Sequence, residues 1–160
     1  MSAPRTIAQI SIVFIFVLLA GVASAQRPPY GPEITLDNAK KIAAAAIVEA
    51  KKNNWNVAVA IVDNHGFLVY YERLDDTQTA SPDIAIEKAR SSAMFRRTTR
   101  EMEDTVNKGR PSFLGIRSAM TVSGGLPIIS SGKIIGAIGV SGVTSDQDEQ
   151  VAKAGLEGMK

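Results

Sequence analysis

Between Val57 and Val62 the chain reads VAVAIV, without one polar side chain. A short run rich in β-branched residues is a strand, and one with no polar side has to be covered on both faces. Asp63-Asn64-His65-Gly66 follows as turn chemistry, with Gly66 suited to a positive φ. Phe67 to Glu72 then returns as the second arm of a hairpin. The rest of the chain must supply apolar cover for that strand.

Part of the cover is a helix capped by Thr35, whose Leu36, Ala39, Ile42, Ala43, Ala46, Ile47 and Ala50 recur at helical spacing. Asp37 lies in its first turn and Lys51 and Lys52 in its last, as the helix dipole favours. Its mostly alanine face allows a close approach to a sheet. Ser81 is expected to cap a second helix, with Pro82 at its first position, Asp83 in its first turn and Ile84, Ala85, Ala89, Ser92 and Ala93 along one face. A break is expected near Thr98, which with Glu101 can form a capping box for a short helix ending at Lys108-Gly109. Pro111 to Ser123 carries no clear periodicity.

Gly124-Gly125 marks backbone where side chains do not fit. Ile128-Ile129, the turn Ser130-Ser131-Gly132 and Lys133 to Ser141 form a second hairpin. Gly136 and Gly139 in its return strand imply that another backbone or a ligand comes close. Thr144 and Gln147 are spaced as a capping box opening a last helix through Val151, Ala154 and Leu156. Helix, hairpin, helices, hairpin and closing helix together describe an α+β domain, an antiparallel sheet with helices packed on it.

The N-terminal segment is of another kind. Arg5 precedes the unbroken apolar run Ile12 to Ala20, then Ala23-Ser24-Ala25 as a small-x-small site and the polar, proline-rich Gln26-Arg27-Pro28-Pro29. That order is the pattern of a secretory signal cleaved after Ala25, with an uncleaved anchor as the alternative. The expected division is a leader over 1–25, a flexible lead-in over 26–33 and a single domain over 34–160. Cleavage would lower the formal net charge from +2 to +1. So small a charge gives no reason to expect nucleic acid or an anionic membrane as partner. The absence of cysteine excludes disulfides, thiolate metal sites, cysteine nucleophiles and lipid attachment through cysteine.

His65, the single histidine, excludes a multi-histidine zinc site and leaves a Ser-His-Asp triad only this turn residue. It suffices as one axial nitrogen for haem iron; the alternative is a place in a solvated turn. Gly136 to Gly142 lacks the spacing of a nucleotide fingerprint. The N-terminus of the last helix, near Thr144 and Ser145, is an anion site or simply a close-packed junction. Arg96, Arg97 and Arg100, with Lys88 and Arg90 before them, read as a solvated helix face or as a seat for acids, with Glu101, Glu103 and Asp104 beside them. Asp146, Asp148 and Glu149 are accounted for by capping and the helix dipole.

Several segments resemble the GlcG/HbpS family of small haem-associated domains. They are Val62-Asp63 with Gly66, Arg73-Leu74-Asp75, Lys88-Ala89-Arg90, Phe95-Arg96-Arg97 with Thr99, Gly124-Gly125-Leu126-Pro127, Gly132, Ile135 to Gly142, Gln147-Asp148 and Ala154-Gly155. The likeness covers roughly Ile34 to Lys160. Ser91-Ser92 stands where an alanine is common in the family, and Thr98 where a proline is common.

The resemblance implies a profilin-like domain, assembled into a homo-oligomer, that binds haem. Its implied haem contacts are Arg73, Lys88, Phe95, Thr99 and Thr144, with Phe113 and Met120 as further apolar surface; His65 and Thr99 are the candidate axial ligands. With few aromatic residues in the domain, a shallow or subunit-shared site is expected. The leading expectation is a secreted or periplasmic haem-binding protein serving sequestration, storage or sensing. It would have no catalytic residue, no zinc or nucleotide cofactor, and no membrane anchor once the leader is removed. The alternatives are a haem-degrading enzyme, an enzyme handling a small hydroxy acid with Asp63 or His65 as base, and a non-catalytic oligomeric interaction module.

Overall fold

Among the described residues the apolar runs come together in a four-stranded sheet. The structure is a computed structural model that describes residues 26–159, so the expected leader lies outside the described residues. Strands β1 (Ala58–Asp63) and β2 (Leu68–Arg73) form the first hairpin, β3 (Gly125–Ser130) and β4 (Lys133–Ser141) the second. β1 pairs with β4, giving the order β2-β1-β4-β3, antiparallel throughout. Pro127 has no amide proton to give a sheet ladder and lies in β3, an edge strand.

Every residue of β1 is buried. Val57, Val59 and Ile61 join Ile138 and Val140 on one face, under α1 (Leu36–Lys52) and α4 (Ser145–Glu157). Ala58, Ala60 and Val62 join Ala137 on the other, under α2 (Ser81–Phe95). The first face is built from large side chains and the second from small ones, so α2 lies much closer to the sheet. Gly139 sets that approach, since a Cβ there would sit 2.0 Å from the Ala85 carbonyl oxygen and 2.5 Å from the Ala89 nitrogen. Past α2 come α3 (Thr99–Asn107) and a 3₁₀ turn at Pro111–Gly115.

Local expectations give way at four places. Leu36 is 48% exposed and does not join the buried face of α1. Ser81 does not cap α2: Ala80 holds the cap position without a side-chain bond, and Ser81 is fully buried, accepting a hydrogen bond from Ser141 at 3.2 Å. Here a tertiary partner displaces the local cap. The lead-in is tied down rather than loose, because Pro29 and Gly31 exchange backbone hydrogen bonds with Ile134, and Ile34 donates to Ile135. The Tyr30 hydroxyl donates to the Met94 carbonyl at 2.9 Å, strapping the segment over the end of α2. The helix break falls as expected, with Arg96 left-handed at φ 54°, but the capping box is half made: the Thr98 hydroxyl accepts from Glu101 N–H at 3.1 Å while the Glu101 carboxylate accepts from Arg27.

Candidate functional site

Lys88 falls one helical turn from Ala85 and from Ser92, which places it on the buried face of α2. It is 1% exposed. Its ammonium donates to Asp148 Oδ2 at 2.7 Å and to the Val140 carbonyl at 3.0 Å. Asp148, in the first turn of α4, also accepts from Val143 N–H at 3.2 Å. Burial pushes the Asp148 carboxyl above its ordinary range, against the pull of Lys88 and of the Val143 and Gly142 amides. The ammonium needs room that only glycine leaves. A Cβ at Gly124, where φ is +123°, would sit 2.9 Å from Lys88 Nζ, and one at Gly125 would sit 2.4 Å from the Lys88 carbonyl.

Thr99 closes the same junction. It is fully buried, and its hydroxyl accepts from Gly125 N–H at 2.9 Å. Thr144 is near by sequence and by helix, its hydroxyl accepting from Gln147 N–H while the Gln147 side chain accepts from Thr144 N–H. Three of the candidate contacts, Lys88, Thr99 and Thr144, thus converge on the α4 N-terminus, each already engaged by protein groups. Asp148 is the residue that sequence reasoning placed in a capping role only. The spacing of Lys88 from Ala85 and Ser92 was the available sign that an inward ammonium required an inward acid.

The basic cluster divides among separate partners. Arg100 bridges to α4, donating to Asp146 and, at 2.7 Å, to Glu149, which holds its guanidinium above its ordinary range. Burial pushes the Glu149 carboxyl up, but bonds from Lys153 and Arg100 outweigh it and the net shift is downward. Glu103, beside the arginines in sequence, accepts from the Ser123 amide and hydroxyl. Arg97 lies over the rings of Phe95 and Phe113, 5.8 and 5.3 Å from their centroids. Arg73 is exposed at the end of edge strand β2.

His65 stands on the β1–β2 turn. The Asp63 carboxylate accepts from His65 N–H at 2.8 Å and from Phe67 N–H at 2.9 Å, and so shapes the turn. Imidazole Nδ1 lies 3.3 Å from Glu33 Oε1, a contact made because the lead-in is strapped against the sheet. The His65 side chain is 64% exposed. Gly66 packs on Arg90 and Met94, and Arg90 Nε donates to its carbonyl at 3.2 Å. Phe67, Met94 and Tyr30 leave large apolar side chains exposed in this region, and Arg96 lies 5.4 Å above the Tyr30 ring.

Residues 34–157 match the family model described as "Haem degrading protein HbpS-like". The chain belongs to the HbpS-like family. Over 103 residues it is 46% identical to Protein GlcG of Escherichia coli strain K12, spanning 64% of this chain and 77% of that protein. The crystal structure of HbpS superposes with a TM-score of 0.76 at 30% identity, covering 81% of this chain and 92% of that one. A structure described as a PduOC–haem complex gives 0.73 at 25% identity, covering 79% and 94%. The fold read from the sequence is therefore the fold of HbpS-like relatives.

Proposed function

We propose that this HbpS-like protein is an exported haem-binding protein, serving sequestration, storage or sensing, with a shallow site at the β1–β2 turn. The observation that carries the reading is the Glu33–His65 contact. A carboxylate at Nδ1 favours the tautomer protonated there and leaves the Nε2 lone pair to meet a metal, the usual arrangement of a metal-ligating histidine. Exposed Phe67, Met94 and Tyr30 offer a flat apolar group surface to cover, and Arg90 and Arg96 are cations in the same region. Bound haem would supply an iron centre open to a ligand; the chain would supply the imidazole, its orientation and the apolar contact. Thr99 is the weaker candidate, because its hydroxyl is buried and bonded to Gly125. Haem binding by the PduOC relative supports the cofactor, and the Arg5 to Ala25 pattern supports export.

Titration of the purified protein with haemin, followed at the Soret band, tests this. A saturable, sharpened band is expected, weakened about tenfold or more in His65→Ala, the scale on which loss of a metal-ligand partner acts. A spectrum of free haemin unchanged by the protein overturns haem binding. A band lost in Thr99→Ala and kept in His65→Ala overturns the site. Export is checked by mass spectrometry of the chain recovered outside the cytoplasm, which is expected to begin at Gln26.

A further inference from the structure

Arg97 is held in a way that no part of the haem reading uses. It is half-buried, and its guanidinium lies over two phenyl rings, those of Phe95 and Phe113, themselves 6.2 Å apart and tilted by 56°. Its Nε is cut off from solvent and has no hydrogen-bond partner among the described residues. Arg110 stands beside the second ring, its carbonyl accepting from Phe113 N–H at 3.2 Å; Arg27 and Arg110 disfavour the Arg97 charge and Glu101 favours it. Glu101 is already engaged by Arg27 at 3.3 Å. Burial first, then these two guanidiniums, pull Arg97 below its ordinary range. Arg97 and Arg27 thus face one carboxylate, that of Glu101, with Arg110 a further cation nearby.

Such an arrangement costs the fold stability. A partly buried charge without a matching counter-charge is disfavoured, and stacking on aromatic faces offsets only part of that. Violations of this kind are expected where a ligand completes the charge balance. The geometry also constrains the ligand. A guanidinium fork matches a carboxylate with two parallel bonds, and the half-buried Phe95 ring, with Phe113 buried behind it, favours a body that is itself apolar. A phosphate dianion would need more donors and a more polar wall.

We infer that Arg97 and Arg110, with Phe95 and Phe113, form a binding site for a small apolar or aromatic carboxylate. The site shares no residue with the His65 turn and does not depend on haem binding there.

The test is calorimetric titration of the purified protein with benzoate, with benzamide as its neutral counterpart and inorganic phosphate as competitor. Arg97→Met and exposed Arg110→Met are titrated beside it. Saturable benzoate binding, at least tenfold weaker in each variant and absent for benzamide, is the expected result. Arg97→Met is also expected to melt at or above the wild-type temperature, because removing an uncompensated charge relieves repulsion. A packing role alone would do the opposite, lowering Tm and leaving benzoate affinity untouched in Arg110→Met; that pattern overturns the proposal. So does the absence of benzoate binding up to its solubility limit, and so does unchanged affinity in both variants. Phosphate displacing benzoate with equal or greater affinity overturns the carboxylate assignment. If Arg97→Met fails to fold, Arg110→Met decides alone.

Discussion

Replacing Gly139 by alanine probes the contact on which the geometry of the domain rests. Gly139 lies in β4 opposite Ala60 of β1, directly beneath α2. A Cβ added there would sit 2.0 Å from the Ala85 carbonyl oxygen, where real Cβ atoms keep at least 3.0 Å. The obstacles are the helix backbone, at Ala85 O and Ala89 N, so no side chain can swing aside. The helix must retreat by about 1 Å, and a gap of that size forfeits a quarter to a half of each dispersion contact across it. The contacts at risk are those of Ala85, Ala89 and Ala93 with Ala58, Ala60, Val62 and Ala137, all fully buried. Overpacking by one methyl costs about 1–3 kcal/mol. Because the clash is with backbone and the loosened layer loses packing as well, about 3 kcal/mol is expected, equivalent to a Tm lower by roughly 10 °C. Urea denaturation, read by Trp55 fluorescence and far-UV circular dichroism, measures it. Gly115→Ala is the control, since a Cβ there meets nothing within 4 Å and its φ is not positive. If Gly139→Ala lies within about 0.5 kcal/mol of wild type, as ordinary surface changes do, the close approach of α2 is not what the glycine serves.

Two further outcomes concern the ion pairs on α4. Lys88→Met leaves the Asp148 carboxylate buried without its cation, so a loss of about 3–5 kcal/mol is expected at pH 7. Burial already raises the Asp148 carboxyl, and without Lys88 it rises further. A folded-state value above the unfolded one means stability is gained as pH falls through it. The deficit of Lys88→Met should therefore narrow between pH 7 and pH 5 in urea titrations, and a constant deficit would count against a charged Asp148. Glu149 carries the opposite sign: its carboxyl is held below the ordinary 4.5 by bonds from Lys153 and Arg100 that outweigh burial. Its contribution is present above the unfolded value and lost as pH falls below about 4.5. Arg100→Ala should cost about 1–2 kcal/mol at pH 7, the scale of a charge-assisted hydrogen bond. That difference from wild type should shrink on acidification.

The sequence by itself determined much of this protein. The apolar run Val57 to Val62, the two glycine turns and the alanine spacing of α1 are local signals, and they define a doubly covered strand, two hairpins and the helices around them. Capping at Thr35, Thr98 and Thr144 was legible for the same reason, since each cap engages an amide within three residues. Gly124, Gly125 and Gly139 announced a close approach without naming what approaches. The tertiary structure alone decided that the visitor at Gly139 is the α2 backbone and that Gly124 meets the Val140 carbonyl together with the Asp148 and Lys88 side chains. It alone paired Lys88 with Asp148, 60 residues away, and brought the lead-in's Glu33 to His65. It also replaced the Ser81 cap with a contact to Ser141. Periodicity and capping record what each residue meets within one turn of its own chain. Burial of a charge and its compensation depend on residues that meet only once helices have docked on both faces of the sheet.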